Sequence, residues 1–453
     1  MKTSWYEFSS EPAVFLYTFS AWTYSVVIRY FLMQKTCSPD VEPPLRYACN
    51  DTNLQIEANE LMAIRNTWFQ LLSIVPLLVA GCARDATGLC KPMMYVGVAG
   101  EAIGVSIQLF SAWSWRMSAW STAVSEAVVR GIAGGGKMFY LGAACVVTER
   151  SKPSERVSRL TLNLAAAASG ACLASTFSRH FVKHLGYQTS FISINVMFLL
   201  SLLLVIFIFE DRSKLMRSES WQIFGKLMTL FKSRSNGNVI WLMVFCSALS
   251  AATTKAEENL FWNYMIEGFG FSFKQVGYFQ TYQLVIRAAS SLSLPLLLFS
   301  FLKNSGFKIG IICSMIAVIS STAMGFAGRK PELLLIALLD FSKCFLVTIP
   351  LSVVTRCVND YEIGIYLSLC YVGQSLLTGG FFYGYDAIFA ATIKTIPGTF
   401  YLVSASVAVV MIILYRIALY IYVPSENENE DGTTENETDL EKCGNCFNRT
   451  VKF

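Results

Sequence analysis

Apolar residues run in blocks of about 20, the length a helix needs to cross a bilayer. About twelve such blocks fall near 12–33, 68–82, 92–112, 121–148, 160–177, 187–209, 239–265, 276–302, 309–327, 333–355, 363–391 and 400–423. The polar stretch 210–238 divides them six and six. It opens on Glu210 and Asp211 and continues with Arg212, Lys214, Arg217, Lys226, Lys232 and Arg234. The connection after the fourth block adds Arg150, Lys152, Arg156 and Arg159. Basic residues concentrate on the cytosolic side of a membrane protein, so both connections, and with them both chain termini, are expected in the cytosol. Outer connections carry Lys35, Arg46, Arg65, Arg179, Lys183, Arg329 and Lys330. The expected organisation is an N-terminal six-helix half at 1–209, a cytosolic linker at 210–238, a C-terminal six-helix half at 239–423 and a disordered acidic tail at 424–453.

Composition agrees with an all-α integral membrane protein. Of the 453 residues, 54% are hydrophobic and 15% charged, where a soluble globular chain carries about 25% charged residues. The formal charge of +5 makes no case for nucleic acid. Most of the thirteen cysteines stand inside apolar blocks (Cys145, Cys172, Cys246, Cys313, Cys344 and Cys370), where cysteine acts as a small hydrophobe. The leader 1–11 carries Glu7 and Glu11 against Lys2, which is not the pattern of a cleavable signal peptide. His180 and His184 stand four apart, but two histidines alone make a poor zinc site. No metal, cofactor or catalytic constellation is expected, and no enzyme. There is no nucleotide-binding glycine loop, so any work would draw on an ion gradient.

The chemistry lies in charges inside the apolar blocks. A charge at the bilayer centre costs about 2.5–3.5 kcal/mol on insertion scales. Such charges therefore face one another or a wet cavity. The third block holds Glu101; the fourth holds Glu126, Arg130 and Lys137, spaced to share one helical face. The seventh holds Lys255, Glu257 and Glu258, the eighth Arg287, and the tenth Asp340 and Lys343. Glu126–Arg130 and Asp340–Lys343 are placed to neutralise each other locally. Cations left over, with Arg130, Lys137, Lys255 and Arg287 as candidates, would draw in an anion. Glu101, Glu126, Glu257, Glu258 and Asp340 are candidates to carry a coupled proton, since burial and nearby cations move a carboxyl pKa in opposite directions.

Between the second and third blocks runs Gly81-Cys82-Ala83-Arg84-Asp85-Ala86-Thr87-Gly88-Leu89-Cys90-Lys91, read as a short polar turn. Gly81, Asp85, Gly88 and Lys91 resemble the signature loop of the major facilitator superfamily, which latches the two halves of a transporter on the cytosolic side. The resemblance implies two six-helix halves with substrate bound near the midplane between them. The corresponding stretch after the eighth block, Phe299-Ser300-Phe301-Leu302-Lys303-Asn304-Ser305-Gly306-Phe307-Lys308, keeps one glycine and the trailing base. Ser10-Glu11-Pro12-Ala13-Val14-Phe15-Leu16-Tyr17 resembles the opening of the proton-coupled folate transporter family, including the thymic stromal cotransporter. The Arg130-Gly131-Ile132-Ala133-Gly134-Gly135-Gly136 run and Arg156 before a small-residue fifth block are similar too. Where folate-carrying members place a glutamate, this chain has Asn163, which counts against folate itself and against that route of proton coupling.

These readings imply a secondary transporter of a small organic anion, proton-coupled, working by alternating access. Uncoupled facilitated diffusion and a transporter-shaped receptor or scaffold stay open as alternatives. The membrane would be the plasma membrane or an endolysosomal one. The stretch 34–66 reads as a polar outer loop, with Cys37 and Cys49 placed to form a disulfide and Asn50-Asp51-Thr52 a glycosylation sequon. Sequons at Asn436 and Asn448 would lie inside and carry no glycan. Leu215, Trp221, Phe224, Leu227, Met228 and Phe231 recur at helical spacing, as in a helix lying on the membrane surface. Cys443 and Cys446 have no second pair with which to bind metal.

Overall fold

The structure, a computed structural model, describes residues 10–43, 52–151, 156–208, 236–301, 306–359 and 361–423. Cys49, Asn50, Lys303, the 215–231 helix and the tail with its sequons and cysteines lie outside the described residues. Cys37 closes the first helix and is disulfide-bonded.

Every regular element among the described residues is a helix. In order they are α1 (Glu11–Cys37), α2 (Thr52–Leu72), α3 (Ile74–Thr87), α4 (Lys91–Trp113), α5 (Ala119–Ile132), α6 (Gly135–Arg150) and α7 (Arg156–Ile208). There follow α8 (Gly237–Asn263), α9 (Phe273–Phe301), α10 (Gly306–Phe326), α11 (Lys330–Ala337), α12 (Phe341–Cys357), α13 (Ile363–Thr392) and α14 (Thr399–Ile421). They match the expected blocks in sequence. α2 and α3 form the second, and α5 and α6 the fourth. α7 forms the fifth and sixth, with helical geometry lost at Gly186 (φ 74°, ψ 176°). α11, a 3-10 turn at Leu338–Asp340 and α12 form the tenth. Prolines open α1, α4 and α11, where the missing N–H costs no helical hydrogen bond.

Nine helices among the described residues are long and apolar enough to cross a membrane by length and composition. The α1, α5–α6 and α9 rods do not meet that measure; α5 and α6, parted at Gly134, are 14 and 16 residues long.

Three readings of the sequence are corrected. The stretch 34–66 is not loop throughout: α1 runs to Cys37 and α2 starts at Thr52, so Arg65 is a helix residue with only 5% exposure. Lys35, counted with the outer bases, is 1% exposed and donates to the carbonyl and hydroxyl of Ser111. The turn at 81–91 is shorter than expected, because helix persists through Thr87 and only 88–90 are non-helical. Arg65 and Lys35 are held within their helices by partners on neighbouring ones, Glu126 and Ser111.

Helices pack through small residues, as membrane helices do in the absence of a hydrophobic drive between them. A side chain at Gly170 of α7 would run into the Phe15 carbonyl of α1, and one at Gly310 of α10 would come within 2.6 Å of the Tyr415 ring of α14. α1 and α4 pack on α7, α8 on α12, α13 and α14, and α10 on α14. The earlier and later helices meet through α7 with α9 and α12, and through α2, α3 and α6 with α13.

Candidate functional site

Two charge networks and one bridging lysine fill the middle of the bundle. In the first network, Glu126 of α5 is fully buried and accepts from three side chains. Arg65 Nε reaches its Oε2 at 2.5 Å and Nη2 its Oε1 at 2.7 Å. Arg130 Nη1 and the Tyr24 hydroxyl donate to Oε1 at 2.7 and 2.8 Å. Arg130 also forks onto Glu101 of α4, with Nε at 2.8 Å and Nη2 at 3.0 Å. Its guanidinium lies over the rings of Tyr24 and Phe69, 5.2 and 4.8 Å from their centroids. Gly104 makes room for it, since a Cβ there would meet the Arg130 stem at 2.6 Å. Two carboxylates face two guanidiniums. Arg130 is therefore a neutralised cation rather than the spare one that the sequence suggested.

The expected shared face of Arg130 and Lys137 is also corrected. α5 ends at Ile132, Gly134 and Gly135 take positive φ (69° and 48°), and α6 starts afresh. Those conformations suit glycine and reset the helical phase. Lys137 consequently turns away from Arg130. Its ammonium donates to Gln70 Oε1 of α2 at 2.5 Å and to Ser375 Oγ of α13 at 2.7 Å. Ser73 and Ser375 hydroxyls share a further bond of 3.2 Å. Among the described residues no carboxylate lies within ion-pair distance of Lys137, while Lys255 is near enough to repel it.

The second network belongs to the later helices. Glu258 takes Lys255 at 2.7 Å and Arg287 at 3.3 Å. Lys343 sits between Glu257 at 2.8 Å and Asp340 at 3.2 Å. Asp340 accepts in addition from Gln283 Nε2 at 2.9 Å and Ser320 Oγ at 2.8 Å. Both local pairs foreseen, Glu126–Arg130 and Asp340–Lys343, form. A small, half-open cavity lies on this network, lined by Trp22 of α1 as well as Glu257, Glu258, Gln283, Arg287 and Asp340.

Sequence reasoning overlooked Arg29 and Asp386 and placed Arg65 in an outer connection. Arg29 follows Trp22 by two helical turns on the same face, within electrostatic reach of Glu258. Among the described residues no carboxylate pairs with it directly. A basic residue inside the 12–33 block was signal enough. Asp386, in the eleventh block, neighbours Asn259. For Arg65, the polar surroundings of 34–66 hid a helix.

At one end of the bundle, Asp85 accepts from the first backbone N–H groups of α13, Gly364 at 2.8 Å and Ile365 at 2.8 Å. It also takes Arg84 Nη1 at 2.9 Å. A carboxylate on a helix N-terminus gains from both the free N–H groups and the helix dipole. The approach needs two glycines. A Cβ on Gly364 would lie 2.6 Å from Asp85 Oδ1 and 2.7 Å from the Gly81 carbonyl, and one on Gly81 would lie 2.6 Å from the Gly364 carbonyl. Gly88 (φ 72°) caps α3, its N–H on the Arg84 carbonyl at 2.7 Å, and Lys91 starts α4. Nearby, Arg156 Nη1 reaches the Thr355 carbonyl at 2.5 Å, joining α7 to α12.

Comparison with known proteins places this geometry. The family model of the Major Facilitator Superfamily matches residues 12–377. No curated protein matches significantly. Among solved structures, the human organic anion transporter MFSD10 (TETRAN) superposes with a TM-score of 0.68 at 13% identity, covering 90% of this chain and 99% of that one. The E. coli fucose:proton symporter FucP gives 0.64 at 15% identity over 90% and 98%. A bacterial homologue of the iron transporter ferroportin, in an outward-facing state with soaked iron, gives 0.65 at 13% identity over 91% and 98%. At such identities these likenesses speak to fold, while the family model spans most of the chain. The chain is a multi-pass membrane transporter and belongs to the major facilitator superfamily.

Proposed function

We propose that the protein carries a small organic anion across the membrane by alternating access, linked to protons, with its termini in the cytosol. One observation carries the reading: Lys137, deep in the bundle, is held by neutral oxygens of Gln70 and Ser375 and by no carboxylate among the described residues. An ammonium so placed forgoes solvation without a countercharge. An entering carboxylate or phosphate at 4 Å would return about 4 kcal/mol at an effective dielectric of 20, and charge-assisted hydrogen bonds besides. Arg29 adds positive charge on the side where Trp22 lines the cavity. Arg287 and Lys255 are already engaged by Glu258 and serve as secondary contacts.

Because Lys137 sits on α6 and its partner Ser375 on α13, the anion subsite lies where earlier and later helices meet. An anion that takes over the ammonium would release Ser375 and so loosen that junction. The Asp85–α13 contact and the Arg156–Thr355 bond hold one end of the bundle closed, in the role of a cytosolic latch. The resemblance of 10–17 to the proton-coupled folate transporter family, and a structural neighbour that is an organic anion transporter, point the same way.

The test is uptake of a labelled panel of organic anions, sugars and organic cations into proteoliposomes at two pH values. An anion should be taken up, and faster when the outside is more acidic than the lumen. Lys137→Gln should raise its apparent KM about 10- to 100-fold, the equivalent of one hydrogen bond to a charged group. Uptake confined to neutral or cationic members, indifferent to Lys137→Gln, would overturn the reading.

A further inference from the structure

We propose that Glu257 is the carboxyl that carries the coupled proton, with Lys343 as the cation it shares with Asp340; this rests on the proton-linked reading above. The candidates separate by what each carboxylate already holds. Glu126 accepts from two guanidiniums and a phenol, and Glu101 from one guanidinium twice. Glu258 lies between Lys255 and Arg287. Asp340 has both oxygens occupied, one by Gln283 and the other by Ser320 and Lys343. Glu257 has one partner, the same Lys343. One ammonium thus serves two carboxylates, and the weaker-held of the two is Glu257.

Access agrees. Glu257 lines the small cavity beside Trp22 and also a second small cavity between Ser250, Thr254, Ser321 and Lys343. Asp340 borders the first alone. The groups facing Glu257 are few. α12 presents Lys343 and the 3-10 turn before it Asp340. α9 presents Arg287, at longer range and committed to Glu258. α13 presents Tyr385 and α14 Tyr401. On α8 itself stand Glu258 and Lys255, the latter 52% exposed and so screened by water. Among the described residues Lys343 is the one cation in direct contact with Glu257 and Asp340, and a proton on Glu257 lets it pair with Asp340 alone.

The step is simple in its balance. A hydronium in the cavity gives its proton to a Glu257 carboxylate oxygen; one O–H bond forms, one breaks and water is left. Lys343 then belongs to Asp340 alone. That change loosens α8 from α12, two helices joined in the middle of the bundle by the Glu257–Lys343 bond.

The experiment is pH-difference infrared spectroscopy of the full chain in lipid, which needs no transported substrate. Acidification should raise the carbonyl stretch of a neutral carboxylic acid, absent from Glu257→Gln and retained in Asp386→Asn. Should Glu257→Gln fail to fold, Asp340→Asn leaves Lys343 a single carboxylate and should also lose the band. No band in the wild type, a band surviving in Glu257→Gln or Asp340→Asn, or a band lost in Asp386→Asn overturns the assignment. A band with no anion uptake removes the anion reading and leaves the proton site. Uptake with no band does the reverse.

Discussion

The two charge networks use similar residues to opposite ends. Around Glu126 the cations are guanidiniums, each fork fills a carboxylate edge, and Tyr24 and Phe69 wall the cluster off. Around Glu257 the linking cation is an ammonium, the carboxylates line a cavity, and Lys255 is half in water. Guanidinium is planar and fixed in its geometry, whereas an ammonium is a point charge on a flexible stem that readily changes partner. The first network is built as a fastening of α1, α2, α4 and α5; the second has partners to exchange. Charge inside a membrane is therefore no uniform marker of a working site. What distinguishes the two is whether each carboxylate is saturated.

The largest effect is expected where the fastening is cut. Glu126→Gln leaves Arg65 and Arg130 with Glu101 as their one carboxylate among the described residues. Removing one partner of a buried pair costs about 3–5 kcal/mol. The purified protein should lose most of its folded yield, with a large fall in thermal midpoint. A variant as stable as the wild type would break the comparison, because the first network would then be as exchangeable as the second.

Next comes the glycine contact at the closed end. Gly364→Ala places a methyl 2.6 Å from Asp85 Oδ1 and 2.7 Å from the Gly81 carbonyl, so α3 and α13 must separate. Overpacking of this kind costs about 1–3 kcal/mol, and the cost falls on the closed state. Cysteines introduced at that end of the bundle should label several-fold faster. Asp85→Asn is milder: the charge at the α13 N-terminus, worth about 0.3–1 kcal/mol, is lost, and with it one of the two backbone bonds, because the amide nitrogen of Asn cannot accept a hydrogen bond. The same labelling should rise by less than in Gly364→Ala. Equal effects would show that the contact is held by charge rather than by fit.

Much of the closed end was legible in the sequence. Gly81, Asp85 and Gly88 carry their meaning locally, through a close approach, a helix N-terminus and a positive φ, and chain order alone put them between two apolar blocks. The charges within the blocks were legible as an inventory but not as pairs. Periodicity placed Arg130 and Lys137 on one face, and the phase reset at Gly134 and Gly135 separated them. Nothing local joins Arg65 to Glu126 or Lys137 to Ser375, since those partners are brought together only by packing of distant helices. Arg65 was further obscured because the polar residues at 52–66 read as loop, while in the fold they belong to α2.

The smallest effect tests the second network at its wet edge. Lys255 holds Glu258 at 2.7 Å with half its side chain exposed, and Arg287 stands ready on the other side of that carboxylate at 3.3 Å. Lys255→Gln therefore leaves Glu258 paired, and its charge was screened by water beforehand. An exposed pair of this kind is worth up to about 1 kcal/mol, so the thermal midpoint should move by no more than a few degrees. It should also relieve the repulsion on Lys137, the other cation at the junction of α6 and α13. With less positive charge near the subsite, the apparent KM for the transported anion should rise only about twofold, well short of the effect of Lys137→Gln. A loss of stability matching that of Glu126→Gln would mean that the two networks fasten the bundle equally, and that exposure at Lys255 is no sign of exchange. A small stability change with an anion KM raised as far as in Lys137→Gln would instead make Lys255 a direct contact of the substrate.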